Sequence, residues 1–381
     1  MLSLTSGVFG WFLVLLTLAA FVAVIVFWHV VTGHQPLRVA ARVSMLLGVN
    51  LMVLLTAAVQ LNNQFLFFAD WADLAGAIGG TTTTSDLHRG ETATKAAQAS
   101  VAGSAATQAP RTLEPLPAGS QIQDGVMSYQ VTGAKSRVTT SVLVTLPPGY
   151  SATDDTTAYP VLETFSGYPG SVSQWVKTMR LQTNLSQQVA AHKLHPLIVV
   201  SPQLEVPAGV DTECVNGKPG SPQMETFLTE DVPNWITAHF RTKPGRASWA
   251  TIGLSAGGWC AAMAAMLHPA QYGGAVVMGG YFHPQFESAY DPFTAGSDAG
   301  HRYDLVALAK ASPMPLALWV ETSHADPVSY TSTTALLKAA KAPLSVTDVV
   351  LQNAGHRIGV WQGLVPDALR WLGANVPGFA P

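Results

Sequence analysis

Trp249-Ala250-Thr251-Ile252-Gly253-Leu254-Ser255-Ala256-Gly257-Gly258-Trp259 is the most informative stretch of this 381-residue chain. Residues 249–254 are apolar and partly β-branched, the composition of a buried strand. Residues 256–267, AGGWCAAMAAML, are rich in Ala, Met and Leu and predict a helix. Between them lies a G-x-S-x-G motif, in which the chain turns from strand to helix around one serine and small neighbours relieve the crowding. Ser255 then stands at a helix N-terminus, where backbone N–H groups and the helix dipole favour a developing negative charge. With 33 glycines in the chain the bare motif arises by chance, so the strand before it and the helix after it give it meaning. The pattern marks Ser255 as a candidate nucleophile.

The elements around it alternate. Apolar, β-branched runs fall at 141–146, 160–165, 196–201, 249–254, 275–278, 315–321 and 346–351, and helical patterns at 174–191, 224–240, 256–267, 329–340 and 362–372. Strands alternating with helices predict an α/β fold, a mostly parallel sheet covered by helices on both faces, here spanning residues 120–381.

A serine nucleophile needs a base, which follows it in chain order in this kind of fold. His29 and His34 lie in or near an apolar N-terminal run, and His88 lies in a low-complexity stretch. His192, His195 and His239 precede the serine, and His268 closes the helix after it as His-Pro, a capping position. His356 follows the strand 346–351 through Asn353-Ala354-Gly355 and is the expected base, with His324 in reserve. The acid belongs on the loop after 315–321. Asp326, in Thr322-Ser323-His324-Ala325-Asp326-Pro327, is preferred because it lies several residues past the strand, and Glu321 is the alternative. An ordinary helix cap or surface charge is the plain reading of either. The oxyanion donors expected are the amides of Ala256 and of Tyr168, in the Gly-rich turn after 160–165, since Pro169 has no N–H.

The N-terminus reads differently. Residues 1–33 carry no Lys, Arg, Asp or Glu, and 7–31 is an almost unbroken apolar run, against about 20 residues needed to cross a bilayer. A second run from 43 extends to 59 or 61. Two spanning helices, about 7–31 and 43–61, are expected within a membrane hairpin covering 1–75. A cleaved signal peptide fits less well: the positive n-region is missing, the apolar core is too long, and a second span follows. Arg38 and Arg42 are the only Lys or Arg before residue 89, which places the connection in the cytoplasm and both hairpin ends outside. Phe65, Phe67, Phe68 and Trp71 read as an interfacial aromatic belt. No Phe, Trp or Tyr occurs in 72–128, and the Ala/Ser/Thr/Gln-rich 76–119 predicts a flexible linker with a root-mean-square reach of about 35 Å. A cell-membrane protein with its 120–381 domain extracytoplasmic follows.

Charged residues make up only 11% of the chain, against about 25% in soluble globular proteins. A net charge of −3 leaves no basic excess for phosphates, which argues against a nucleic-acid partner. Two cysteines rule out a disulfide scaffold or a four-thiolate zinc site.

The segments Leu146-Pro147-Pro148-Gly149-Tyr150, Tyr159-Pro160-Val161-Leu162 through Gly170, the GLSAGG turn and Gly355-His356 together resemble the esterase D-like and mycolyltransferase branch of the α/β-hydrolases, over about residues 125–375. The resemblance implies a carboxylesterase, or an acyltransferase on envelope lipids, working without a metal or organic cofactor on an ester or acyl-lipid substrate. Two departures stand out. The oxyanion strand of that branch usually ends His-Gly or Asp-Gly, where this chain has Ser166-Gly167; and the mycolyltransferases use a Glu as acid, which keeps Glu321 open. The hairpin and linker resemble those of actinobacterial envelope hydrolases. Cys214 and Cys260 are expected to form a disulfide in an extracytoplasmic domain, with two separate buried thiols as the alternative. A catalytically silent, membrane-tethered binding domain of the same fold is the competing function.

Overall fold

The computed structural model describes residues 3–79, 87–88, 112–154, 156–286, 290–293 and 296–381. The chain divides into two units: residues 1–83 with 353–360, and residues 84–352 with 361–381.

The first unit contains the helices Gly7–Phe27 and Gln35–Phe65, both long and apolar enough to cross a membrane, with mean hydropathies of 2.7 and 1.9. Their outward side chains, among them Trp11, Leu15, Ile25 and Leu54, are exposed and apolar. Between the two helices, Thr17 Oγ1 donates to Leu13 O at 2.8 Å and meets Thr56 Oγ1 at 2.8 Å. The first helix ends four residues before the expected boundary and the second begins eight residues earlier. Pro36, suited to a first helical turn, accounts for the early start. Arg38 and Arg42 therefore lie on the second helix and not in the connection. Arg42 Nη2 donates to Trp28 O at 3.0 Å, and its guanidinium sits 4.9 Å from the Trp28 ring centroid.

Beyond Leu66, whose φ of 52° ends the second helix, Asp70 caps a short helix, Trp71–Ile78. The expected linker begins inside this helix. Most of it, residues 80–86 and 89–111, lies outside the described residues.

The second unit is built on a sheet that has ten strands among the described residues: β1 Leu87–His88, β2 Gly119–Gln123, β3 Val126–Thr132, β4 Thr139–Thr145, β5 Val161–Phe165, β6 Ile198–Pro202, β7 Trp249–Leu254, β8 Gly274–Met278, β9 Ala317–Ser323 and β10 Ser345–Leu351. Their spatial order is β1-β10-β9-β8-β7-β5-β6-β4-β3-β2. The six from β10 to β6 are parallel, and β1 and β4, β3, β2 are antiparallel edges. Every residue of β5 to β9 is buried, so these strands are covered on both faces, as a parallel sheet requires. The expected mostly parallel α/β fold is present. β2 and β3 escape the sequence reading because an antiparallel edge with one wet face carries a mixed composition, GSQIQ and VMSYQVT. The predicted helix 174–191 is broken at Arg180, whose φ is 51°, before Leu181–Ala190.

β7 lies centrally. The helix Ala256–Leu267 that follows it is buried from Ala256 to Met266 and supplies Trp259, Cys260 and Met263 to the main core.

Candidate active site

Ser255 has φ 55° and ψ −126°, a strained backbone for a residue with a Cβ. The strain is held from both sides. Its N–H donates to Met278 O of β8 at 2.8 Å, and its carbonyl accepts from Gly258 N at 2.8 Å and Trp259 N at 3.2 Å. The glycines are a steric requirement: a Cβ on Gly253 would lie 1.8 Å from Gly257 O, and one on Gly257 would lie 2.3 Å from Phe165 O. The strand-turn-helix read from the sequence is present at the expected residues.

The turn after β5 presses against this elbow. A Cβ on Gly167 would lie 3.3 Å from Ser255 Cβ. Gln174 Oε1 accepts from Gly167 N at 2.9 Å, Glu205 Oε1 accepts from Gly170 N at 2.8 Å, and Trp175 Nε1 donates to Phe165 O at 2.8 Å. Gln174, Trp175 and Glu205 thus fix the loop bearing Tyr168, a role no sequence signal marked because each acts across a fold-dependent distance. The Tyr168 hydroxyl donates to Gly209 O at 3.2 Å.

Both candidate acids lie at the same end of the sheet. Register aligns Leu254 with Met278 and Met278 with Glu321, so Glu321 stands level with the residue before the serine, two strands away. Glu321 is buried, and burial, with the nearby Asp326 charge, pushes its carboxyl up to about 8 against the pull of hydrogen bonds from Gly279 and Trp361. Asp326 is also buried; its Oδ1 accepts from Ser329 N at 3.3 Å, capping the helix Pro327–Ala339. The capping role weighed from the sequence is therefore real.

His356 lies on the loop between β10 and the helix Ile358–Asn375, and this loop belongs to the first unit. Its N–H donates to Leu66 O at 2.7 Å. Arg357 forms a two-pronged ion pair with Asp73, Nη1–Oδ2 2.8 Å and Nη2–Oδ1 2.6 Å. The reserve candidate, His324, packs its ring at a tilt against Tyr330 with centroids 4.3 Å apart, while its backbone N–H donates to Leu351 O.

Cys214 and Cys260 form a disulfide with Cα atoms 5.7 Å apart, tying the loop after β6 to the elbow helix. Beside it Trp259 Nε1 donates to Glu213 O at 2.7 Å, and burial holds the Glu213 carboxyl well above its ordinary range. A second buried network joins Glu225 to His268, Arg302 and Tyr303; burial alone would raise this carboxyl, yet these partners hold it down to about 2. Among the described residues no cluster of three His, Cys, Asp or Glu side chains is placed to hold a metal ion.

The Esterase family matches residues 136–368, the greater part of the chain and the whole of the elbow region. An uncharacterized protein of Corynebacterium glutamicum is 30% identical over 139 residues, 36% of this chain and 32% of that one. The MPT51/MPB51 antigen of Mycobacterium tuberculosis is 34% identical over 77 residues, 20% and 25% of the two chains. The matched segments thus span about a third and a quarter of those relatives. Among solved structures, an S-formylglutathione hydrolase from Agrobacterium tumefaciens superposes with a TM-score of 0.54 at 17% identity, covering 68% of this chain and 98% of that one. A ferulic acid esterase gives 0.53 at 16%, covering 65% and 96%. These identities carry the fold, and the family match carries the membership: the chain belongs to the esterase family.

Proposed function

We propose that the protein is a membrane-anchored, extracytoplasmic serine esterase or acyltransferase acting through a Ser255–His356–Asp326 triad. Ser255 attacks an ester carbonyl while His356 takes its proton; the alcohol leaves with that proton, and water or a sugar hydroxyl resolves the acyl-enzyme. Asp326 orients the imidazole and stabilises its charged form. The amides of Ala256 and Tyr168 receive the oxyanion. The observation that carries this reading is the backbone of Ser255, held at φ 55° between a buried strand and a buried helix in a chain of the esterase family.

Anchoring rests on the helices Gly7–Phe27 and Gln35–Phe65, and orientation on Arg38 and Arg42 beside their connection. An envelope acyl ester is the substrate class this location favours. The test of the chemistry is labelling by a fluorophosphonate probe together with hydrolysis of short p-nitrophenyl esters. Both should vanish in Ser255→Ala, and an unlabelled wild-type serine would favour a silent binding domain. Protease added to intact spheroplasts should cleave within 76–119; full protection reverses the orientation.

A further inference from the structure

The loop carrying His356 is tied, residue by residue, to the chain that leaves the second apolar helix. Asn353 Nδ2 donates to Asp70 Oδ2 at 2.6 Å, Gly355 N to Asp73 Oδ2 at 3.3 Å, His356 N to Leu66 O at 2.7 Å, and Arg357 grips both oxygens of Asp73. The fit is close: a Cβ on Gly355 would lie 2.2 Å from Phe67 O, and the Arg357 guanidinium lies 5.3 Å from the Phe68 ring centroid. The grip is itself fixed. Asp73 accepts from Ala69 N at 3.0 Å and donates its own N–H to Asp70 Oδ1 at 2.8 Å, while the Asn62 side chain brackets Phe68 with bonds of 3.0 and 2.8 Å. Side chains of Asp73 and Arg357 are 7% and 13% exposed, so their attraction is little screened by water, and removing either leaves a buried charge unanswered.

We propose that Asp73 is a positioning residue for the catalytic histidine: the segment 66–73, leaving the membrane hairpin, sets the place of His356 through Arg357. The hairpin is then part of the catalytic apparatus as well as an anchor, and deleting it removes the support of the base. The inference rests on the reading of His356 as the base. A triad histidine must meet both the serine and the leaving group, and a misplacement of about 1 Å can cost a hundredfold in rate.

The experiment uses the full chain in detergent micelles, with p-nitrophenyl ester hydrolysis resolved into kcat and KM. Asp73→Asn and Arg357→Ala should each lower kcat by about tenfold to a hundredfold with KM nearly constant, and the double variant should be no slower than the slower single one. Added guanidinium should recover part of the lost kcat in Arg357→Ala and none in Asp73→Asn, a readout that a general loss of stability does not produce. If Arg357→Ala fails to fold, Arg357→Lys decides: it keeps the charge and loses the two-pronged geometry, so an intermediate kcat supports the proposal and a wild-type kcat overturns it. His356→Ala separates the two levels. Inactive His356→Ala beside fully active Asp73→Asn and Arg357→Ala overturns the positioning role and leaves the base assignment standing. Wild-type turnover in His356→Ala overturns both.

Discussion

The indole N–H of Trp361 donates to Oε2 of Glu321 at 3.1 Å, beneath the end of β9. That bond favours the charged carboxylate, but burial and the nearby Asp326 charge outweigh it and push the carboxyl up to about 8, so Glu321 is largely neutral at pH 7. Orienting a histidine and stabilising its imidazolium calls for a charge. That difference supports the proposal of Asp326, in place of Glu321, as the triad acid.

Asp326→Asn is expected to lose at least about a hundredfold in kcat with KM little changed, and Glu321→Gln less than about tenfold. Steady-state kinetics on the two purified variants decides between them. A crippled Glu321→Gln beside a near-normal Asp326→Asn makes Glu321 the acid and shifts weight toward acyl transfer, where the resemblance to mycolyltransferases places a Glu.

The buried carboxyls also set a pH dependence of stability. Glu163 and Glu321 are each raised by burial from an ordinary 4.5 to about 8, with Tyr272 donating to Glu163 at 2.7 Å. The folded state holds protons that the unfolded state releases, so the stability they contribute is complete below pH 4.5 and is lost as the pH rises through about 8. Tm should fall across that window, and Glu163→Gln should flatten the fall, since the amide keeps an acceptor for Tyr272 and has no proton to lose. An identical slope in wild type and variant, by calorimetry, refutes the assignment.

What the sequence made legible was local. Strand 249–254 and helix 256–267 occupy the residues that composition assigned them, because the elbow's requirements lie within five consecutive positions. The placement of His356 after β10 followed from the same strand-to-loop reasoning. Contacts across the fold left no trace in local pattern: Arg357 meets Asp73 from 284 positions away, and Asn353 meets Asp70 from 283. The aromatic residues of 65–71 suggest an interfacial belt by composition, and Phe68 also lies under Arg357. The early start of the second helix has a cue in Pro36, whereas the uncharged apolar stretch begins only after Arg42.

The elbow glycines should be intolerant in a graded way. Gly253→Ala sets a Cβ 1.8 Å from the Gly257 carbonyl, backbone that has no room to move, and should abolish activity and soluble expression. Gly258→Ala meets Gly280 Cα at 3.0 Å and Met278 O at 3.2 Å, a contact relieved by a shift of a few tenths of an ångström, and should fold with reduced activity. Expression, melting temperature and ester hydrolysis of the two variants compared side by side test the gradient. A fully active Gly253→Ala refutes the steric account of the motif.

The Cys214–Cys260 bond closes a loop of 46 residues and ends on the elbow helix five positions beyond Ser255. In the chain-entropy account such a loop contributes about 4 kcal/mol by constraining the unfolded chain. For a unit of this size that corresponds to a fall in Tm of roughly 10 °C on reduction. The effect should concentrate near the serine, because the bond anchors the loop after β6 beside Glu213, which accepts from the Trp259 indole of the same helix. The double variant Cys214→Ser/Cys260→Ser should therefore melt earlier and lose activity at temperatures where the wild type is still fully folded. Dithiothreitol should shift the wild type toward the variant and leave the variant unchanged. Equal melting of oxidised and reduced wild type refutes the stabilising role, and free thiol at both positions in non-reducing mass mapping refutes the bond itself.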